Sequence, residues 1–526
     1  MAFLSDSAPK PTSLSGMLLS AVIIFFVSYQ LSAYISRRRS PPGPPGFPII
    51  GNALQIPADR QWLRWHEWKQ RYGDIMKITV LGQPVVILSS LKASKDLLEG
   101  RGNIYSDRPS AVMASELVGW SRGLGYAQAT QNPRFREFRR VFHQWMGPRA
   151  CESRELRDVQ ERENLRSVTC FSIAYPEIFS KHARECTSST ILLLMYGYPS
   201  HIGDPLRLVK IAEDAMLGFA RASEPGRWWV DNFPMLKHVP SWFPGASFQR
   251  TAKSMRLDLD ELYDVPFNFV KAEMKKDVFE QSFLSKYLEE HSMTTNPPGK
   301  FEELAKAAGA SLYSGGAETT PSALISFILA MVLYPRVQEK AQAEIDALTL
   351  GRLPMIKDRN RLSYVSAIVK EVWRWNPSVP LGLPHVVNQD DEYMGYHIEK
   401  GSIVWANIWT IMHDEDTFPN PFEFQPERYL DPENSTSEIV ESAFGFGRRI
   451  CPGMYLAENS VFLAVATMLT VFNISKAVDP VTGEEITPDV EYDGFISHPR
   501  PFRCKIQPRS RVTRELVLEQ AEASKM

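Results

Sequence analysis

Cys451 lies in the run Phe444-Gly-Phe-Gly-Arg-Arg-Ile-Cys451-Pro-Gly453, one thiol among three glycines with two arginines just before it. Gly445, Gly447 and Gly453 permit tight turns and let a flat ligand approach the backbone. Residues 454–472 read as an apolar helix, so the thiol sits just ahead of a helix N-terminus. The macrodipole and the neighbouring cations there favour the thiolate. Backbone N–H groups in such a loop can hydrogen-bond the sulfur, and the arginines can pair with anionic groups on the ligand. A thiolate in this setting suits axial ligation of a haem iron, where it pushes electron density onto the metal and favours O–O cleavage. A buried, inert cysteine is the alternative that this loop, taken alone, leaves open.

A second cluster is Gly315-Gly-Ala-Glu318-Thr319-Thr320, inside a helix expected over 301–334. Two adjacent glycines cost about 1 kcal/mol each in a helix interior. Close approach of a ligand to the backbone at Gly315 and Gly316 would compensate, and the acid–hydroxyl pair Glu318 and Thr319 can pass protons. A helix-packing glycine patch with a surface glutamate is the competing reading. Pro321 removes an N–H and crowds the Ala317 carbonyl, which predicts a kink and a free carbonyl there.

Glu371 and Arg374 stand three apart on a helix expected over 364–375, and Pro426-Glu-Arg428-Tyr429 follows later. On its own an i,i+3 pair is a surface ion pair worth a few tenths of a kcal/mol. Phe135-Arg-Glu-Phe-Arg139-Arg140 places its arginines on a helix running to Trp145, where a solvated basic face is the ordinary outcome. Pro380-Leu-Gly-Leu-Pro384-His385 is too rich in proline and glycine to be helical.

The elements that position these groups are mostly helical. The chain has 526 residues, 44% hydrophobic and 23% charged. Its 59 basic and 61 acidic side chains give a net charge of −2, which argues against a nucleic-acid partner. Five widely spaced cysteines without a C-x-x-C speak against a disulfide framework, a structural zinc or an iron–sulfur site. Residues 1–13 are expected to form a short lumenal N-terminus. Residues 14–35 are apolar and uncharged, about 33 Å as a helix, enough to cross a bilayer core. Arg37, Arg38 and Arg39 follow, so the positive-inside rule puts the rest of the chain in the cytosol. A cleaved signal peptide fits less well, because the charge comes after the apolar run. Residues 36–50 are a basic, proline-rich hinge, and 51–508 form the globule. A helix is expected over 59–72, two strands over 75–88, and a small sheet over 393–406. Trp228, Trp229, Trp242 and Phe243 suggest either an apolar loop near a membrane or substrate entrance, or ordinary packing. Residues 509–526 form a charged tail, either solvated helix or disorder.

The loop 444–453 matches F-x-x-G-x-R-x-C-x-G, and with the Gly-Gly-x-Glu-Thr helix, E-x-x-R and P-E-R-Y in that order the chain resembles the cytochrome P450 family over roughly 41–508. The narrower likeness is to fungal, microsomal members of secondary metabolism resembling O-methylsterigmatocystin oxidoreductase. The resemblance implies a mainly α fold with a small β region, one globular domain behind an N-terminal transmembrane helix. It implies haem b (iron protoporphyrin IX) bound through Cys451, with Phe444, Gly447, Arg449 and Gly453 shaping the loop and Arg139 and His385 meeting the propionates. Phe135 stands where the family has tryptophan and lacks its N–H. Thr319 and Glu318 would serve oxygen activation; Glu371, Arg374 and Arg428 would form a structural lock. Gly315, Gly316, Leu381, Leu383 and Ile496 would line the substrate pocket. The implied reaction inserts one atom of O2 into a lipophilic small molecule such as a terpenoid or polyketide. Electrons would come from NADPH through a separate NADPH–cytochrome P450 reductase docking near Arg139, Arg140 and Arg448, with cytochrome b5 as a further candidate donor. The implied location is the endoplasmic reticulum membrane, single-pass, facing the cytosol. A haem-thiolate isomerase, dehydratase or peroxide-driven enzyme, and a non-enzymatic haem-binding membrane protein, are the rivals.

Overall fold

The computed structural model describes residues 40–523, except 131, 174–178, 200–203, 205–206, 225, 293–297 and 432–435. The apolar run 14–35 lies outside the described residues.

The helices that frame the interior are α1 (Gln61–Tyr72), α2 (Pro133–Met146), α3 (Arg154–Ile173), α4 (Phe179–Tyr196), α5 (Leu208–Ala222), α6 (Ser247–Glu273), α7 (Pro298–Leu333), α8 (Pro335–Thr349), α9 (Ser363–Trp375), α10 (Met454–Val471) and α11 (Arg511–Ala523). The 36-residue α7 runs through the middle of the molecule and packs on α4, α5, α6, α10 and α9. Its second half, Ala323–Val332, is buried on all sides. That is why its sequence lacks a polar stripe. The helix starts at Pro298, not after the Asn296–Gly299 run, because proline is tolerated in the first turn, where its missing N–H has no partner to lose. It continues through Pro321. Helices α7 and α10 are long and apolar enough to cross a membrane, but both are mostly buried within the globule.

The β region is small. Strands β1 (Ile75–Val80) and β2 (Gln83–Leu88) form a hairpin turning at Leu81 and Gly82, both at positive φ. Strands β3 (His385–Val386), β4 (Asp391–Tyr393), β5 (Tyr396–Ile398) and β6 (Ile403–Ala406) follow. Strand β6 runs parallel to β2, pairing Val85 with Ile403 and Leu88 with Ala406, and antiparallel to β3. The sheet order is β1-β2-β6-β3. It holds His385 at the edge of the interior cavity. Near the C-terminus β7 (Phe472–Val478), β8 (Glu485–Ile486), β9 (Tyr492–Asp493), β10 (His498–Pro499) and β11 (Cys504–Pro508) complete the set. The tail expected as helix or disorder forms α11, lying along α3.

A buried lock holds α9 in place. Glu371 and Arg374 are fully buried and meet through two bonds, Nε to Oε2 at 2.7 Å and Nη2 to Oε1 at 2.9 Å. Arg428 Nε reaches Glu371 Oε1 at 3.3 Å. Arg374 also donates to the carbonyls of Met412, Pro421 and Glu423. A buried ion pair survives only when its remaining donors and acceptors are satisfied, and here they are. The pair is therefore no surface ion pair but a clamp between α9 and the 412–428 segment.

Candidate haem-thiolate site

Gly445 and Gly447 adopt positive φ, and the Cys451 N–H donates to the Phe444 carbonyl at 2.8 Å, closing the loop on itself. Cys451 Sγ faces a cavity of about 390 Å³ bounded by the loop, α7, α2 and the C-terminal segment. Cys451 is exposed by surface area, yet it lies deep within the protein. Both hold because the surface it exposes is the cavity wall. Burial pushes the thiol up, while the Gly453 N–H and the Arg139 guanidinium pull it back toward the thiolate. Trp373 packs edge-on against Phe444 at 5.0 Å and braces the start of the loop.

Of the residues the sequence singled out, Gly315, Gly316, Thr319, Arg139, Leu381, Leu383, His385, Phe444, Arg449, Cys451, Gly453 and Ile496 all line this one cavity. A Cβ on Gly315 would have no atom within 4 Å, so α7 leaves open space there. Thr319 Oγ1 donates to the Gly315 carbonyl at 2.8 Å.

Two expected site residues, one for cofactor binding and one for catalysis, sit elsewhere. Gly447 does not line the cavity: a Cβ there would lie 2.5 Å from the Leu98 carbonyl oxygen, so this glycine lets the loop pack on the 98–99 backbone. Glu318 is turned away from the cavity and shares Oε2 between Arg184 Nε at 3.3 Å and His498 Nε2 at 3.2 Å. Burial alone would raise its carboxyl, but the His498 hydrogen bond and the Arg184 charge outweigh that and hold it below the usual value.

One end of the cavity wall is cationic. Arg139 Nη1 donates to the Ile450 carbonyl at 2.7 Å, and Arg139 and Arg448 both line the cavity, whereas Arg140 is exposed and does not. Arg449 donates to the carbonyls of Ser106, Leu124 and Ala127, and its guanidinium lies over the Phe135 ring at 4.3 Å. Phe135 thus supplies a π face where an indole N–H was expected. Sequence reading missed Arg108, which is buried and donates to the carbonyls of Gly125, Leu383 and Pro384. Burial pushes it down to about 10; burial and the Arg108 charge push Arg449 down to about 8. His385 Nδ1–H donates to the Tyr105 carbonyl at 2.6 Å, and burial holds its imidazole well below the ordinary value. Among the described residues no carboxylate pairs with Arg108, Arg139 or Arg449, and none lines the cavity. One buried and two half-buried guanidinium groups whose hydrogen bonds all go to carbonyls call for an anionic ligand.

A family profile described as Cytochrome P450 matches residues 41–506. The chain belongs to the cytochrome P450 family. It is 43% identical to Cytochrome P450 monooxygenase 208 of Postia placenta, covering 94% of this chain and 95% of that one. It is 42% identical to Cytochrome P450 monooxygenase claR of Ampulloclitocybe clavipes (93% and 90%), and 38% identical to Tryptamine 4-monooxygenase of Psilocybe cyanescens (94% and 98%). It is accordingly an oxidoreductase of the P450 monooxygenase class, a class that uses haem and O2 with electrons from a reductase. The cavity fits that cofactor on its own evidence: a thiol on the wall, a glycine that leaves space over α7, and cations without a carboxylate ion-pair partner among the described residues for anionic ring substituents.

Proposed function

We propose that this P450 is a membrane-anchored haem-thiolate monooxygenase of secondary metabolism, built as an anchor (14–35), a hinge (36–50), a catalytic domain (51–508) and a charged tail. It inserts one oxygen atom into a lipophilic, uncharged terpenoid or polyketide. It works at the cytosolic face of the endoplasmic reticulum, drawing on NADPH through its reductase, with cytochrome b5 as a second possible donor. The observation that carries the reading is that Cys451 Sγ, the open face of Gly315 and the hydroxyl-bearing Thr319 share one cavity.

Haem b bound there would supply O2 activation. Cys451 would hold it from the loop side; Arg108, Arg139, Arg449 and His385 would hold its propionates. Thr319 Oγ1 can leave the Gly315 carbonyl to donate into the cavity, and the Glu318 carboxylate, one residue away, can relay protons to it. The substrate end is apolar, roofed by Trp120, Phe219 and Phe495, whose rings meet edge-on at 4.8 Å and 5.8 Å, with Leu381, Leu383 and Ile496 beside them. With no carboxylate on the cavity wall, a protonated amine would have no counter-ion, which supports an uncharged substrate over an amine. Exposed Trp229, Phe233, Met235, Trp242 and Phe243 between α5 and α6 support a membrane-facing entrance.

The test is the reduced, CO-bound difference spectrum of membranes carrying the parent and Cys451→Ala, followed by substrate screening with reductase and NADPH. A thiolate-type Soret band in the parent alone, with NADPH-dependent product, is the expected result. Product formed without NADPH and reductase would place the chain among the non-hydroxylating or peroxide-driven members instead.

A further inference from the structure

Glu318 Oε2 has two partners from two distant parts of the chain. Arg184 comes from α4 and His498 from β10. The His498 position is itself fixed. The preceding residue, Ser497, is fully buried, and its N–H donates to the Ser378 carbonyl at 2.8 Å. Its carbonyl accepts from Ser322 Oγ on α7 and from Asn376 Nδ2 at 3.3 Å, and its Oγ donates to Asn376 Oδ1 at 3.1 Å. Ser378 Oγ in turn donates to the carbonyl of Thr319 at 2.9 Å. One polar knot therefore ties the C-terminal loop to the α7 turn that carries Glu318 and Thr319.

His498 shows no role besides this contact. Its Nδ1 is buried and has no hydrogen-bond partner among the described residues, so the bond to Glu318 is the ring's one polar anchor. Its neighbour across the β9–β10 ladder, Asp493, is turned toward Arg500 at 3.2 Å. The other charged groups facing Glu318 are Arg184 on α4 and Glu213 on α5. Lys210 and Asp214 beside Glu213 pair with each other.

We propose that His498 is a positioning residue for oxygen activation: with Arg184 it holds the Glu318 carboxylate off the cavity, and so meters the supply of protons past Thr319. The proton-supply part rests on the monooxygenase reading above; the pairing does not. Two donors on one oxygen make release a matter of breaking two bonds, and removing either donor loosens the carboxylate. Removing His498 also removes a contribution that lowers the Glu318 pKa, so that group titrates at higher pH.

The experiment uses the full-length protein in membranes or detergent with His498→Phe, His498→Gln, Glu318→Gln and the doubles. Glu318 titration is read without turnover, as the pH dependence of the thermal-stability difference between a protein and its Glu318→Gln counterpart. In the His498→Phe background that titration moves to higher pH. In His498→Gln, whose amide can donate to the same oxygen, it stays nearer the parent. In turnover, His498→Phe changes product per NADPH at least twofold and shifts the acid limb of the rate profile upward. KM stays within about twofold, because His498 does not line the cavity, and His498→Gln recovers most of the parent behaviour. Additive stability effects of His498→Phe and Glu318→Gln, or an unmoved titration, overturn the pairing. A moved titration with unchanged coupling and pH profile overturns the metering role. Absence of NADPH-dependent turnover in the parent strikes the monooxygenase reading and leaves the pairing to be judged on stability alone.

Discussion

Tyr429 donates its phenolic O–H to Glu371 Oε2 at 3.0 Å, adding a fourth side chain to the lock formed by Glu371, Arg374 and Arg428. The bond also places a buried hydroxyl against a buried carboxylate, and burial with the Glu371 charge holds the phenol well above its ordinary pKa. Tyr429→Phe leaves Glu371 with both Arg374 bonds, so the loss is one hydrogen bond to a charged group, about 1.5 kcal/mol. Thermal unfolding followed by circular dichroism should show a midpoint a few degrees lower and a parent-like CO difference band. Glu371→Ala strands a fully buried guanidinium and costs several kcal/mol, on the order of 3–5. That variant should accumulate without haem.

Gly447→Ala and Gly315→Ala should behave oppositely. At Gly447 the backbone is at φ +53 and a Cβ would lie 2.5 Å from the Leu98 oxygen and 2.8 Å from Glu99 Cα. The left-handed conformation alone costs about 1–2 kcal/mol, and the clash requires the Cys451 loop to lift. The haem-loaded fraction, read as CO difference absorbance per milligram of protein, should fall severalfold. Gly315→Ala meets nothing within 4 Å and should load normally while weakening ligand-induced spectral shifts.

Phe135→Leu removes the π face beneath Arg449, an interaction worth about 0.5–2 kcal/mol. Haem should leave faster, measured by its transfer to excess apomyoglobin. Phe135→Trp keeps the face and should be at least as retentive as the parent.

Asp231 ties the segment between α5 and α6 to the helical turn Val112–Val118 by accepting from the Met113 N–H at 2.8 Å. Burial pushes its carboxyl up to about 6 against the pull of the Met113 and Val112 N–H groups. Between the ordinary 3.8 and that value the folded chain keeps a proton the unfolded chain has released. Its stabilising contribution is therefore full on the acid side and is lost as pH rises through about 6. The parent should lose stability relative to Asp231→Asn across that window. Asp231→Ala should be less stable than either at neutral pH, because two N–H groups lose their acceptor. Unfolding midpoints against pH check both.

The sequence made the metal-ligand loop, the α7 cluster and the α9 lock legible because each is local, with glycines, a cysteine or an i,i+3 pair marking it within ten residues. The groups it hid are those whose meaning depends on partners far along the chain. Arg108 is one arginine in a loop with no periodicity around it. His498 and Arg184 meet Glu318 only after folding, 180 and 134 residues away in sequence. Phe135 looked like a lost hydrogen-bond donor, and its use as an aromatic face could not be read without knowing that Arg449 lies above it.

The parallel pairing of β2 with β6 sets a timetable for biogenesis. The β1–β2 hairpin leaves the ribosome early, but the strand that covers its edge begins only at Ile403. At about 5–20 residues per second the wait is roughly 15 to 60 seconds. During that interval the Val85–Leu88 edge stands unpaired, a template for wrong partners. His385 and the Cys451 loop arrive later than the hairpin as well, so the cofactor cradle stays incomplete until the chain is nearly finished. Cofactor insertion is therefore a late step, and the nascent hairpin is the segment a chaperone has most reason to hold.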